Sequence, residues 1–562
     1  MKNAEPNNPV MSPAEHSGQT GDRVGVAKSV LFLGGPYLVF ATMCATVDSR
    51  QIAACCLFGL VFVALSLIAW IFLGQHSQLL YLMAFLVGLS LFCIWYIVAV
   101  PNELSGDEAL YWQCSRNLDW CYVTKGPGTP FCIWCMRMVL GNTELGVRAS
   151  AIILSFTSSI VIYLLGKQLY NTRVGVFSAA IFQVTPIFAF NGIGMTTDPP
   201  LIFFWLLSLL LMYWAWKTTS PLAWCGLGLS VGLGILCKDT MIVFFLPALL
   251  LLVFSPARRQ LLSPWPYLAL VLCLVVISPM VFWNLHHGWI NFFHNIGQGK
   301  MSTSIGGSLT SFLEFVGSQL GIITPLLLVM MVWALFKLRR KDSLSFWFSI
   351  PLLSLFLLKS LQGRVLANWA LCCYLTGIIS FSAYFLAGFS TLSIRLRRLT
   401  VAAVALAICC TIFMHVACLI TFPSNIDPFE KVRCGSVQLG HKVASMANQL
   451  KPQRFIFSNR YMTASRLAFY VDGQPTTYCV NLGRRINQYD VWPTFHDLLH
   501  YDAVLVLSGD REMPSQLKDR FQEYQKHIVK TRSTVGRIDN VYSVFLCHNF
   551  KGMERIVPTR YN

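Results

Sequence analysis

The stretch GDEALYWQCSRNLDWCYVTKGPGTP, Gly106 to Pro130, decides how the rest of this sequence is read. It is polar, first acidic and then basic, and it lies between long apolar runs. Adjacent acids beside an apolar wall are costly unless they are paired or at work, so Asp107 and Glu108 are candidate functional carboxylates. A plainer reading places them in the first turn of a surface helix, where acids suit the dipole. Lys125-Gly126-Pro127-Gly128 joins a compact cation to glycines that let backbone approach a ligand, a combination suited to phosphate. The same tetrapeptide also describes an exposed turn.

Working outward, the 562 residues are 55% hydrophobic and 12% charged. A soluble protein would carry about twice that charged fraction, and apolar runs near ~20 residues need a bilayer. The composition is that of a polytopic α-helical membrane protein. Apolar runs fall at 29–47, 52–73 and 79–100 before the loop. After it they fall at 145–168, 174–194, 198–217, 222–237, 239–255, 265–285, 311–337, 343–359, 366–388 and 399–420. This predicts about thirteen transmembrane helices over 29–420. Residues 1–28, polar and rich in Pro, Gly and Ser, read as a disordered cytoplasmic tail and not as a cleaved signal.

The formal charge of +18 sits mostly in short loops at the ends of apolar runs and in the last quarter of the chain. That follows the positive-inside rule and suits an anionic lipid substrate better than nucleic acid. With a cytoplasmic tail, Lys167/Arg173, Lys217, Arg258/Arg259, Lys337 to Lys341 and Arg395 to Arg398 share the cytoplasmic face. Loops 101–144 and 286–310 and everything beyond 421 then face the opposite side. Most of the nineteen cysteines lie in apolar runs, where cysteine behaves as a small hydrophobe. Cys114, Cys121, Cys132 and Cys135 cluster around the key loop and could pair on an oxidising face. Residues 421–562 alternate short β-rich runs (Arg454 to Phe457, Thr476 to Val480, Asp502 to Leu507, Val541 to Leu546) with helix-like stretches (Tyr461 to Tyr470, Ser515 to His527). This predicts a small soluble α/β domain.

Three further stretches share the face of the key loop. Asp198, in Thr196-Thr197-Asp198-Pro199-Pro200, starts a span and reads either as a second site acid or as an ordinary helix start. Trp283-Asn284-Leu285-His286-His287-Gly288-Trp289 ends another span; its histidines could help carboxylates hold a divalent cation, with His286 the candidate ligand, or could be interfacial. Lys359 and Arg364, in KSLQGRVLANW, read as a phosphate clamp or as snorkelling cations. Lys238-Asp239 reads as a simple ion pair.

These pieces, in this order, resemble the GT-C glycosyltransferases of the protein O-mannosyltransferase and lipid A aminoarabinose transferase group, in a bacterial branch. The resemblance rests on Gly106-Asp107-Glu108-Ala109 with Tyr111-Trp112, Lys125-Gly126-Pro127, Arg148, Thr197 to Leu201, Gly232-Leu233-Gly234 with Lys238, and Trp283-Asn284 through Trp289. Arg364 to Trp369, Ser458 to Tyr461 and Asn487 to Asp490 extend it, so that it covers nearly the whole chain from about residue 79.

The resemblance implies the GT-C fold and a membrane glycosyltransferase of the bacterial inner membrane. It implies a polyprenyl-phosphate sugar donor and a periplasmic acceptor, which could be lipid A or lipopolysaccharide, another envelope glycan or a protein. It gives Asp107, Glu108 and Asp198 as catalytic acids, Lys125 with Arg364 and Lys359 as donor-phosphate contacts, and Tyr111, Trp283, Asn284 and His287 as substrate contacts. His286 matches a position that helps hold a metal in some relatives. The turn departs from the family's Lys-Pro-Pro or His-Pro-Pro, which weakens the case for a metal. The alternative class is a transporter or flippase of a lipid-linked anion, which would favour mid-span charges and inverted repeats. Here the charges collect at one face.

Overall fold

A computed structural model describes residues 78–100, 102–298, 305–417, 435–532 and 539–554. The expected tail and the runs 29–47 and 52–73 lie outside the described residues, as do 418–434, where the soluble domain was expected to begin. The described residues from Ser90 onward form one compact unit.

Helix α1 (Gln78–Ala99) is apolar throughout and leads to the polar loop. That loop is largely helical: α2 (Gly106–Arg116) and α3 (Gly128–Leu140) flank the segment that carries Lys125. The start of α2 follows from its sequence. Ser105 accepts from the Glu108 backbone N–H, and the Glu108 carboxylate accepts from the Ser105 N–H, a reciprocal capping box.

Next come α4 (Glu144–Leu169), α5 (Thr172–Val184), α6 (Pro186–Phe190), α7 (Asp198–Thr218) and α8 (Pro221–Cys237). A 3₁₀ turn (Asp239–Phe244) leads into α9 (Phe245–Phe254), and α10 (Trp265–His286) and α11 (Ile290–Gln298) follow. The second half of the bundle holds α12 (Ile305–Ile323), α13 (Pro325–Leu338), α14 (Ser343–Ser360), α15 (Leu371–Phe381) and α16 (Ile394–Ala417).

Among the described residues seven helices are long and apolar enough to cross a membrane, or nine if each bent pair is one span. The expected run 311–337 is not one rod. It bends by 93° between α12 and α13, at Thr324, whose φ of 78° precedes Pro325. Proline cannot continue the helical hydrogen bonding and bars helical backbone in the residue before it. The expected runs 174–194 and 222–237 form helices shorter than a full span, α5 with α6 and α8. Pro186 interrupts the first of them.

Two of the basic loops, the one after Lys167 and the one after Lys337, meet at Tyr170 and Asp342. Tyr170 Oη donates to Asp342 at 2.9 Å, and the Lys341 amine stands 5.5 Å from the centroid of the Tyr170 ring. Asp342 also caps α14 by accepting from the Ser345 N–H.

The C-terminal region is α17 (Ser436–Ala447), β1 (Arg454–Ser458), α18 (Tyr461–Tyr470), β2 (Thr477–Cys479), β3 (Asp502–Ser508), α19 (Ser515–Lys518), β4 (Glu523–Arg532) and β5 (Asp539–His548). Its five strands run in the order β2-β1-β3-β5-β4. β1 is parallel to β2 and β3, and β5 is antiparallel to β3 and β4. The expected helix Ser515 to His527 is corrected. Only 515–518 is helical, and Glu523 to His527 open a ten-residue edge strand that pairs with β5 along its length. The β-branched Ile528, Val529 and Thr531 and the pairing with β5 outweigh the helix-like charge pattern before them.

Candidate active site

The acids Asp107 and Glu108 have different fates. Glu108 is buried, and its carboxylate accepts from Arg148 Nε at 2.8 Å, Arg148 Nη2 at 3.0 Å, the Ser105 N–H at 2.9 Å and the Met195 N–H at 3.2 Å. Burial alone would raise its pKa, but Arg148 and the backbone donors hold it below the usual carboxylate range. Arg148 also donates to the carbonyls of Asn102 and Glu103. Glu108 therefore ties the loop to α4, with both its oxygens already accepting hydrogen bonds.

Asp107 is half-buried at the first turn of α2, and Tyr461 Oη donates to its Oδ1 at 3.1 Å. Lys125 lies nearby in a tight turn in which Tyr122 and Lys125 exchange backbone hydrogen bonds. Its amine sits 3.3 Å from the centroid of the Tyr111 ring, so Tyr111 is the floor under the lysine. Among the described residues no carboxylate comes within ion-pair range of this amine. Burial pushes the Lys125 pKa down to about 8, against the opposing charges of Asp107 and Asp239.

Asp198, at the start of α7, forms an ion pair with Lys238 and accepts from Asn368 Nδ2 at 2.9 Å. Lys238 is therefore the partner of Asp198, not of its neighbour Asp239. Asp239 accepts from Asn295 Nδ2 at 2.7 Å. The two halves of the site meet at Gly126. A Cβ there would collide with the Leu236 carbonyl, so the Lys125 turn packs directly on the end of α8, two residues before Lys238. Lys125, Asp239, Lys238 and Asp198 thus share one end of the bundle.

Of the remaining expected substrate contacts, Trp283 bonds the loop. Trp283 Nε1 donates to Asp119 at 2.9 Å, and its ring stacks on His287 at 3.9 Å between centroids. His287 Nδ1 meets the Trp283 carbonyl at 2.8 Å. Asn284 is buried, with Nδ2 donating to the Met280 carbonyl at 3.0 Å. Asn291 and Gln488 grip the backbone of Tyr122 and Val123. His286 is exposed, and among the described residues no group of three or more His, Cys, Asp or Glu gathers as a metal site. Arg364 is exposed and Lys359 half-buried; the residue of their stretch that reaches Asp198 is Asn368. Sequence reasoning passed over Asn368, Asn295 and Tyr461 as site residues. Neutral amides and a tyrosine in a distant region carry no charge pattern to flag them.

Residues 124–283 match the family described as dolichyl-phosphate-mannose-protein mannosyltransferase. The chain is 25% identical over 383 residues to the lipid A galacturonosyltransferase RgtD of Rhizobium johnstonii, covering 66% of this chain and 80% of that protein. It is 26% identical over 209 residues to the undecaprenyl phosphate-alpha-4-amino-4-deoxy-L-arabinose arabinosyl transferase of Pseudomonas paraeruginosa, covering 34% and 38%. The crystal structure of ArnT from Cupriavidus metallidurans bound to undecaprenyl phosphate superposes with a TM-score of 0.57 at 15% identity, over 84% of this chain and 98% of that one. The chain is a multi-pass membrane glycosyltransferase with the GT-C fold. In fold it is similar to ArnT.

Proposed function

We propose that the protein moves a sugar from a polyprenyl-phosphate donor to a lipid A-type acceptor at the outer face of the bacterial inner membrane. The observation that carries this reading is Lys125, a buried amine on the Tyr111 ring, next to a half-buried carboxylate, Asp107, that has an oxygen to offer. The relatives that act on lipid A or on undecaprenyl-phosphate sugars support the choice of donor and acceptor. The two basic loops that meet at Tyr170 and Asp342 support the orientation, with the site on the periplasmic side.

In this reaction the acceptor hydroxyl attacks the anomeric carbon as the bond from that carbon to the phosphate oxygen breaks. The electron pair leaves with polyprenyl phosphate, and Asp107 takes the hydroxyl proton as general base. Lys125 meets the charge that grows on the departing phosphate, so it favours the transition state over the ground state. Direct displacement inverts the anomeric centre. Asp198, fixed by Lys238 and Asn368, orients the sugar.

The test is transfer by the full-length protein in nanodiscs, using a panel of polyprenyl-phosphate sugars with lipid A as acceptor. Transfer by the parent and its loss in Asp107→Asn are expected. Undiminished transfer by Asp107→Asn removes the base, and no transfer from any polyprenyl-phosphate sugar overturns the function.

A further inference from the structure

We infer that Tyr461, from the C-terminal α/β region, is a positioning residue for Asp107, so that this region completes the active site. The inference rests on the function proposed above. Its geometry begins at the contact between α2 and α18. Gly106 immediately precedes Asp107, and a Cβ on it would stand 2.6 Å from both Cβ and Cγ of Met462. Only glycine lets the first turn of α18 come this close. Tyr461, the neighbour of Met462 and the first residue of α18, is thereby set to donate to Asp107 Oδ1.

The placement is reinforced on three sides. Leu104 N–H donates to Tyr470 Oη at 2.7 Å, at the far end of α18. Gln113 Nε2 donates to Thr477 Oγ1 at 3.3 Å, and Tyr489 Oη donates to Gln113 Oε1. Glu103 accepts from the N–H groups of Ser436 and Val437, capping α17. The residues on either side of Asp107 are thus bonded to the C-terminal region. Trp112, fully buried, packs edge-on against Phe469 of α18 at 4.9 Å between centroids. A carboxylate with one oxygen held by a fixed hydroxyl presents its other oxygen in a defined direction. That orientation is what a general base needs. Burial and the charge of Asp107 both push the Tyr461 pKa up, so its hydroxyl stays a donor at neutral pH.

Tyr461→Phe removes the hydroxyl and keeps the ring. It is expected to lower kcat about tenfold, with KM for the lipid-linked donor within about twofold of the parent and an unchanged melting temperature. Gly106→Ala, which pushes α18 away, is expected to give the same split. Combined with Asp107→Asn, Tyr461→Phe is expected to add no further loss, because it acts through that carboxylate. Parental kcat in Tyr461→Phe, a change confined to KM, or losses that multiply in the double variant would each overturn the inference and leave the proposed function standing. A parent that transfers no lipid-linked sugar would overturn both.

Discussion

Asp107 and Glu108 are neighbours in one helical turn, each placed near a cation, yet they are built for different ends. Glu108 sits inside a ring of donors with a bidentate arginine and is sealed from solvent. Asp107 has one tyrosine hydroxyl and a lysine that faces it only at Coulombic range. A fully satisfied buried carboxylate fixes a fold, because any other partner would have to displace one already there. A carboxylate with a single neutral donor, beside a cation that has not closed on it, remains available to substrate.

The sharpest way to break this contrast is to neutralise each acid. Asp107→Asn should cost about 10²–10⁴-fold in kcat with little change in melting temperature. Glu108→Ala should do the reverse. It strands a buried Arg148 and should cost about 3–5 kcal/mol of stability, read as an early unfolding transition in detergent or as loss of membrane-inserted protein. Equal activity losses at equal stability would erase the distinction.

The lysine side is tested by pH. With the Lys125 pKa pushed down to about 8, its charge is present below that value and lost above it. The transfer rate should therefore fall as pH rises through about 8. Asp239→Asn removes a charge that holds this pKa up, so the falling limb should move to lower pH; a limb that stays put would detach Lys125 from it. The smallest effect expected is that of Asn368→Ala. It takes one of two partners from Asp198 and should lower kcat by about tenfold, the scale of one hydrogen bond to a charged group.

Much of this was legible in the sequence because it depends on local chemistry. Asp107 and Glu108 as first-turn acids mark the start of α2, and Asp198 before two prolines marks that of α7. Apolar runs give most of the membrane-spanning helices. The strand pattern located four of the five strands, missing β4, whose first half reads as charged helix. The two lysines and three aspartates of the site stand out as charges beside apolar walls. Their pairing does not. Whether Lys238 bonds Asp239 beside it or Asp198 forty residues earlier depends on where α7 and α8 end, which is a property of packing. Tyr461 and Asn368 lie in stretches that carry the resemblance, but their partners are hidden for the same reason: a distant backbone brings each to a carboxylate.

The contact of Gly126 with the Leu236 carbonyl has a consequence for the size of what the site can accept. Because the Lys125 turn lies flush against the end of α8, and Lys238 follows that end directly while holding Asp198, the spacing of the Lys125 amine, the proposed phosphate contact, from Asp198, the proposed sugar contact, is set by backbone packing. The molecule carries a gauge. On the proposed function, a sugar whose reach from anomeric phosphate to far hydroxyl matches it would be held at both ends, and a shorter or longer one at only one.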